Sequence, residues 1–240
     1  MNLGHLVDPA AAAIVVGGTL VATVLRAGVQ DCAQTLRALS ELFRPAFDAD
    51  TVRGEVATLA SQIRVDGMFR ARPRHLGDIA FDEATDAMIE QRSTEALFER
   101  HAFHARARID AAVAAVRTLT MAADLGPVFG LAGTLVSLSN LPSQGIARSM
   151  FMGAISMSVL TTLYGLLFAN LVLAPLGRAV ERRCEREEAE RQEITEWLAA
   201  QVQRVLPHPG PVSFHAHAQQ QHLQGHFAQT PHAVDPREAA

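Results

Sequence analysis

The sequence predicts an all-α, polytopic membrane protein with three transmembrane helices and a cytoplasmic helical segment. Three observations predict it. Of the 240 residues, 49% are hydrophobic and 19% charged, so greasy and charged stretches must be segregated along the chain. Three runs carry no charge at all: Pro9–Leu25, Leu125–Ala147 and Ser149–Gly177. Between and after them, apolar residues recur at helical rather than strand spacing.

The elements follow in order. Residues 1–26 hold the first span. It is 17 residues long and Ala-rich, near the lower limit for crossing the hydrocarbon core, and Arg26 can snorkel to the interface to extend its reach. Met1 to Pro9 carries no Arg, so this run lacks the basic start of a cleaved secretory signal and reads as a retained span. Residues 27–117 form the cytoplasmic helical segment. Cys32, Leu36, Leu39 and Phe43 make one stripe, ended by Pro45; Val52, Val56, Leu59 and Ile63 make a second after a cap at Asp50. The two stripes are expected to pack together. From Glu83 the chain reads as one helix, free of Gly and Pro as far as Gly126-Pro127. Residues 118–140 are the second span, 141–150 a periplasmic hairpin and 151–177 the third span. Residues 178–206 are a charged cytoplasmic helix with a stripe at Ile194, Leu198, Val202 and Val205. Residues 207–240, rich in Pro, Gln, Ala and His, read as a disordered tail.

Arginine placement sets the orientation. No Arg precedes the first span and only Arg148 lies in the hairpin, against thirteen from Arg26 to Arg117 and seven from Arg178 onward. The positive-inside rule puts the N-terminus and hairpin outside and the middle segment and C-terminus in the cytoplasm. The solitary Cys32 and Cys184 fit a reducing compartment.

Several function classes are disfavoured. A net charge of −4 lacks the basic surplus of a nucleic-acid binder. No Ser-His-Asp set, metal-ligand spacing or phosphate loop is apparent, so no catalytic residue, metal site or cofactor is expected. Gly17-Gly18-Thr19 lies inside an apolar run without the strand-to-helix context of a nucleotide motif. The six His of the tail are irregularly spaced, with no Cys or acidic cluster beside them.

The spans lack Asp, Glu, His and Arg at mid-depth, and a proton pathway needs a titratable group there. A partner would have to bring it. What the spans contain is small and hydroxylic. Gly17, Gly18, Gly130, Gly133 and Gly165 are candidate helix-packing residues, and Thr134, Ser158, Thr161 and Thr162 candidate pore-facing hydroxyls. Ser158 and Thr162 stand four apart, hence on one face. Pro127 and Pro175 mark the cytoplasmic ends of spans two and three.

Three stretches resemble the MotA/TolQ/ExbB proton channel family. Asp8-Pro9 with Ile14-Val15-Val16-Gly17-Gly18-Thr19-Leu20 is similar to the family's Asp-Pro…Gly-Gly-Thr-Leu segment. Gly126-Pro127-Val128-Phe129-Gly130-Leu131-Ala132-Gly133-Thr134 is similar to its Pro-Ala-Phe-Gly-x-x-Gly-Thr helix. Leu160-Thr161-Thr162-Leu163-Tyr164-Gly165 through Ala169-Asn170 to Pro175 is similar to its last span. The resemblance implies a homopentameric ring around a dimer of a one-span MotB/ExbD-type partner, whose membrane Asp takes and releases the proton. It implies a helix hinge at Pro127 near that Asp, Thr134 and Thr162 on the pore side, and Pro175 at the inner mouth. A cytoplasmic rotor protein is a further implied partner, met through Arg64 in Arg64-x-x-Gly67-Met68-Phe69.

Two departures divide the expected function. Flagellar MotA proteins carry a further span before the Gly-Gly-Thr segment, whereas three spans with the N-terminus outside is the TolQ/ExbB plan. Eight residues after Arg64, where flagellar stators tend to carry Glu, stands Arg72; reversing a charge at a complementary interface weakens the original pairing. The leading expectation is a ring subunit of a stator driven by the proton-motive force. The alternatives are a TolQ/ExbB-like energiser of an envelope process and a non-conducting membrane scaffold.

Overall fold

The computed structural model describes residues 9–67, 77–139 and 148–204, and every regular element among them is helical. In order these are α1 (Pro9–Ala27), α2 (Val29–Leu42), α3 (Ala49–Asp66), α4 (Ile79–Gln91), α5 (Thr94–Ser139), α6 (Arg148–Leu167), a π-helical turn (Phe168–Leu173) and α7 (Ala174–Gln203). The helices divide between two compact units. One takes described residues from 1–41 and 114–181, the other from 42–113 and 182–240. Both α5 and α7 contribute residues to each.

In the first unit, α1 is apolar until Arg26 in its last turn. Its 19 residues rise about 28 Å at 1.5 Å each, close to the hydrocarbon thickness. Gly28 ends it at φ +87, a conformation that favours glycine, and the chain turns through 117° into α2. Two further stretches, within α5 and from α6 into α7, are long and apolar enough to cross a membrane; α1 with α2 makes a third only if the bent pair is one span. Large apolar side chains face outward along them, among them Leu25 (81% exposed), Leu135 (68%) and Leu171 (67%). Such a surface would be anomalous in water and is ordinary against lipid or a neighbouring subunit.

The second unit has a conventional core. Val52, Val56, Leu59 and Ile63 of α3 are all buried, as the stripe predicts. They pack with Phe81, Ala84 and Met88 of α4, Leu97 of α5, and Ile194, Leu198 and Val202 of α7. Val205, the next stripe position on α7, lies outside the described residues.

Three local expectations are corrected. The stripes of α2 and α3 each pack within their own unit and not as a pair: Leu39 of α2 packs with Leu119, Ala122 and Leu173 in the first, the α3 stripe lies in the core of the second, and Leu36 and Phe43 are exposed. The cap of α3 is Asp48, not Asp50; its carboxylate accepts from the Thr51 N–H at 3.1 Å and from Thr51 Oγ1 at 2.7 Å. The long helix does not start near Glu83. Arg92 takes φ +52 and closes α4, and the Ser93 hydroxyl accepts the Glu95 N–H at 3.1 Å to start α5. Pro127 lies inside α5, and Pro175 is the second residue of α7. At Pro175 the helix first widens. The Ala174 N–H bonds the Ala169 carbonyl five residues back, one residue before a proline that has no N–H to give and whose ring crowds the preceding turn.

Candidate functional site

The feature that organises the membrane unit is a close seam between α5 and α6. A Cβ added to Gly165 would stand 2.5 Å from the Gly126 carbonyl oxygen and 3.2 Å from the Gly130 Cα. One added to Gly126 would stand 2.8 Å from the Gly165 carbonyl oxygen, and one on Gly130 3.1 Å from both the Thr161 oxygen and the Thr162 Cα. At Gly126, Gly130 and Gly165 backbone meets backbone, an approach that a side chain at these positions would prevent. The register is antiparallel: Gly126 faces Gly165 and Ala169, Gly130 faces Thr161 and Thr162, and Gly133 faces the Thr161 side chain. Within lipid, where no hydrophobic force drives helices together, such close approach is what van der Waals attraction requires.

On the other flank, Gly18 of α1 lies under the Phe129 ring, so a Cβ there would overlap the aromatic carbons. Gly17 differs: among the described residues nothing comes within 4 Å of its Cβ position.

The four candidate pore hydroxyls separate. Thr161 is wholly buried against Gly133, so it belongs to the seam and not to a free face. Thr134, Ser158 and Thr162 remain partly exposed. The register sets Thr134 one turn beyond Gly130 and Ser158 one turn before Thr162, at matching levels of the two helices. Each hydroxyl already donates to its own helix: Thr134 to Leu131 O at 2.6 Å, Ser158 to Ile155 O at 2.9 Å, Thr162 to Ser158 O at 3.3 Å. Their protons are committed, and what they offer outward is acceptor lone pairs. Such a face can hold water or accept from a protonated carboxyl, but cannot supply the titrating group. No Asp, Glu, His, Arg or Lys occurs between Leu125 and Ser139 or between Ser149 and Gly177.

In the sequence Thr19 stands out only as part of a small-residue run. It is fully buried in α1, and its hydroxyl oxygen has no hydrogen-bond partner among the described residues, although its carbonyl accepts from Thr23 Oγ1 at 2.7 Å.

In the second unit, Arg64 donates to Gln201 Oε1 at 2.8 Å from an exposed position. Arg72 lies outside the described residues. Sequence reasoning missed a polar cluster here, because its members come from helices far apart in the chain. Arg108 makes a two-pronged ion pair with the buried Glu188. Arg191 pairs with Asp78 at 2.6 Å and stands 4.0 Å above the Phe47 ring. His101 is buried beside them, within 3.4 Å of Thr195 Oγ1. Burial, with Arg108 and Arg191 nearby, lowers its pKa to about 4. Burial and the neighbouring Glu188 push the Cys184 thiol up to about 12, so it is inert as a thiolate.

Residues 71–193, just over half of the chain, match the family model for the MotA/TolQ/ExbB proton channel family. The chain belongs to that family. Among its relatives, Motility protein A of Cereibacter sphaeroides is 26% identical over 201 residues, covering 82% of this chain and 78% of that protein. Chemotaxis protein PomA of Vibrio alginolyticus is 20% identical over 206 residues, covering 83% and 79%. The fold is shared with a chain of the C. jejuni MotAB structure (TM-score 0.74, 16% identity, 89% of this chain and 90% of that one). It is shared equally with a chain of the flagellar MotAB stator complex from Bacillus subtilis (TM-score 0.74, 19% identity, 84% and 81%). This family membership and the apolar helices make the chain a bacterial inner-membrane protein.

Proposed function

We propose that this chain is the ring subunit of a stator driven by the proton-motive force, working with a one-span partner of the MotB type to turn ion flow into flagellar rotation. The observation that carries the reading is the α5–α6 seam. It holds two membrane helices at backbone contact and leaves Thr134, Ser158 and Thr162 as acceptors beside it, in spans with no acid of their own. That arrangement suits a pathway whose titrating carboxyl comes from a partner helix. The partner's proton uptake and release would draw on about 2.3 kcal/mol per charge per 100 mV. The seam would hold each subunit's wall rigid while the ring steps between packings. Similarity to the motility proteins of C. sphaeroides and V. alginolyticus favours a flagellar load.

Arg72 favours a second reading, a TolQ/ExbB-like energiser, because it puts positive charge where flagellar stators tend to carry Glu. In this proposal the N-terminus is periplasmic, the C-terminus cytoplasmic and the ring pentameric.

The test is co-purification of the tagged chain with a one-span protein encoded beside it, the particles counted by electron microscopy, together with deletion of the gene. A five-to-two assembly and loss of swimming with an intact envelope are expected. The same assembly with normal swimming and a leaky envelope would favour the energiser. A lone chain without such a partner would overturn both and leave a scaffold.

A further inference from the structure

One helix face in the second unit performs a task that an ion path does not require of it. After α2 the chain runs without helix from residue 43 to 48, and then α3 begins. Irregular backbone on a surface is ordinarily loose, since its polar groups are satisfied by water. Here it is held by side chains instead. Arg183 of α7 donates through all three guanidinium nitrogens: NH1 to the Arg44 carbonyl at 3.1 Å, NH2 to the Pro45 carbonyl at 3.1 Å, and Nε to Glu187 Oε1 at 2.8 Å. The same Glu187 oxygen accepts the Phe47 N–H at 3.4 Å. One turn further, Arg191 covers the Phe47 ring at 4.0 Å and pairs with Asp78, whose other oxygen accepts the Ala80 and Phe81 N–H groups that start α4. Phe47 also stacks on Phe81 with ring centroids 6.0 Å apart, and the Arg191 guanidinium lies 5.9 Å from the Phe81 centroid.

Residues 183, 187 and 191 are spaced by four and form one stripe along α7. Each touches the 43–48 strap, and Arg183 and Glu187 are only about one-fifth exposed, which shields their charges from water. The placement matters because of how the chain is threaded. The chain passes into this unit after residue 41 through that non-helical strap and again after residue 181 within α7. Arg183, two residues beyond the second crossing, ties it to the first.

We propose that the Arg183–Glu187–Arg191 stripe is a conformational clamp. It fastens the strap that leads from α1 and α2 to α7, so that a displacement carried by either segment is carried by both. Arg183 acts as a positioning residue, and lysine cannot replace it, because one ammonium cannot reach three acceptors in a plane.

The test is hydrogen–deuterium exchange on the full chain in lipid nanodiscs, comparing wild type with Arg183→Ala, Arg183→Lys and Arg191→Met. The expected result is exchange in residues 43–48 at least ten-fold faster in Arg183→Ala, nearly as fast in Arg183→Lys, with α3 and the rest of α7 unchanged. Arg191→Met should speed exchange at Phe47 and at the start of α4 together. Unchanged exchange over 43–48 in Arg183→Ala would overturn the clamp. So would an equal rise across α3, α4 and α7, since the stripe would then merely stabilise the bundle. The readout is independent of ion flow and rotation, so it stands or falls separately from the stator reading.

Discussion

Gly165 and Gly153 lie on the same helix, and the structure gives them opposite expectations. A methyl group on Gly165 meets the Gly126 carbonyl carbon and oxygen and the Gly130 Cα, none of which can rotate away, whereas one on Gly153 meets nothing within 4 Å. Gly165→Ala must therefore part α5 from α6. Overpacking of this kind costs about 1–3 kcal/mol. Thermal melting of the purified chain in detergent should show a lowered midpoint for Gly165→Ala and an unchanged one for Gly153→Ala. Equal melting of the two variants would remove the seam from its central place. His101 supports a prediction of a different kind. Its folded-state pKa of about 4 lies below the ordinary 6.5, so below pH 6.5 the unfolded chain binds a proton that the folded chain refuses. The stability that neutral His101 confers is complete above pH 6.5 and is lost as pH falls from 6.5 toward 4, by about 3 kcal/mol in all. Burial is the main cause, and the positive charges of Arg108 on its own helix and Arg191 on α7, with His104, add to it. In denaturant titrations, a His101→Gln variant should lose less stability than wild type between pH 7.5 and 4.5. Parallel losses would mean that the imidazole is not responsible.

At the scale of elements, α3 offers a clean measurement. Gly54 lies in its interior with open space at the Cβ position, so it contributes conformational entropy to the unfolded state and no packing to the folded one. Gly54→Ala should stabilise the chain by about 1 kcal/mol, read as a higher denaturant midpoint at unchanged slope. A destabilised variant would show that this face of α3 is covered in the native assembly. The π-helical turn raises a related point. Its extra residue between Phe168 and Leu173 sits one turn before Pro175, where an α-helical ring clash would otherwise fall on the Leu171 carbonyl. The helix thus widens locally before Pro175 and continues through it.

For the whole molecule, the division into two units separates two kinds of stabilisation. The second unit buries a conventional core, with Leu59, Met88, Leu97, Ile194 and Leu198 at or near zero exposure, and should unfold cooperatively in denaturant. The first presents apolar side chains outward and is held by close backbone approach, so its integrity depends on lipid or neighbouring subunits. Acidification and core mutations should accordingly act on the second unit, seam mutations on the first. Pepsin digestion in nanodiscs can check this. At pH 4.5, new cuts should appear among the core residues of the second unit, while α6 stays protected. Cleavage starting in α6 would contradict the division.

Much of this was legible in the residues. Charge segregation and helical periodicity are local properties, so the helical class, the apolar spans, the α3 stripe and the absence of a membrane acid could all be read along the chain. Gly130, Gly133 and Gly165 could be picked out as packing residues before their partners were known, whereas the part played by Gly126 could not. Pairing was not legible. Only tertiary structure decided that Thr161 is buried in the seam, that Leu39 of α2 packs with Leu119 and Leu173, and that Arg183 reaches back to Arg44 and Pro45. The reason is physical. Periodicity says which face of a helix is apolar or small, but the partner of that face is chosen by contacts between residues distant in the chain, whose energies no local pattern contains.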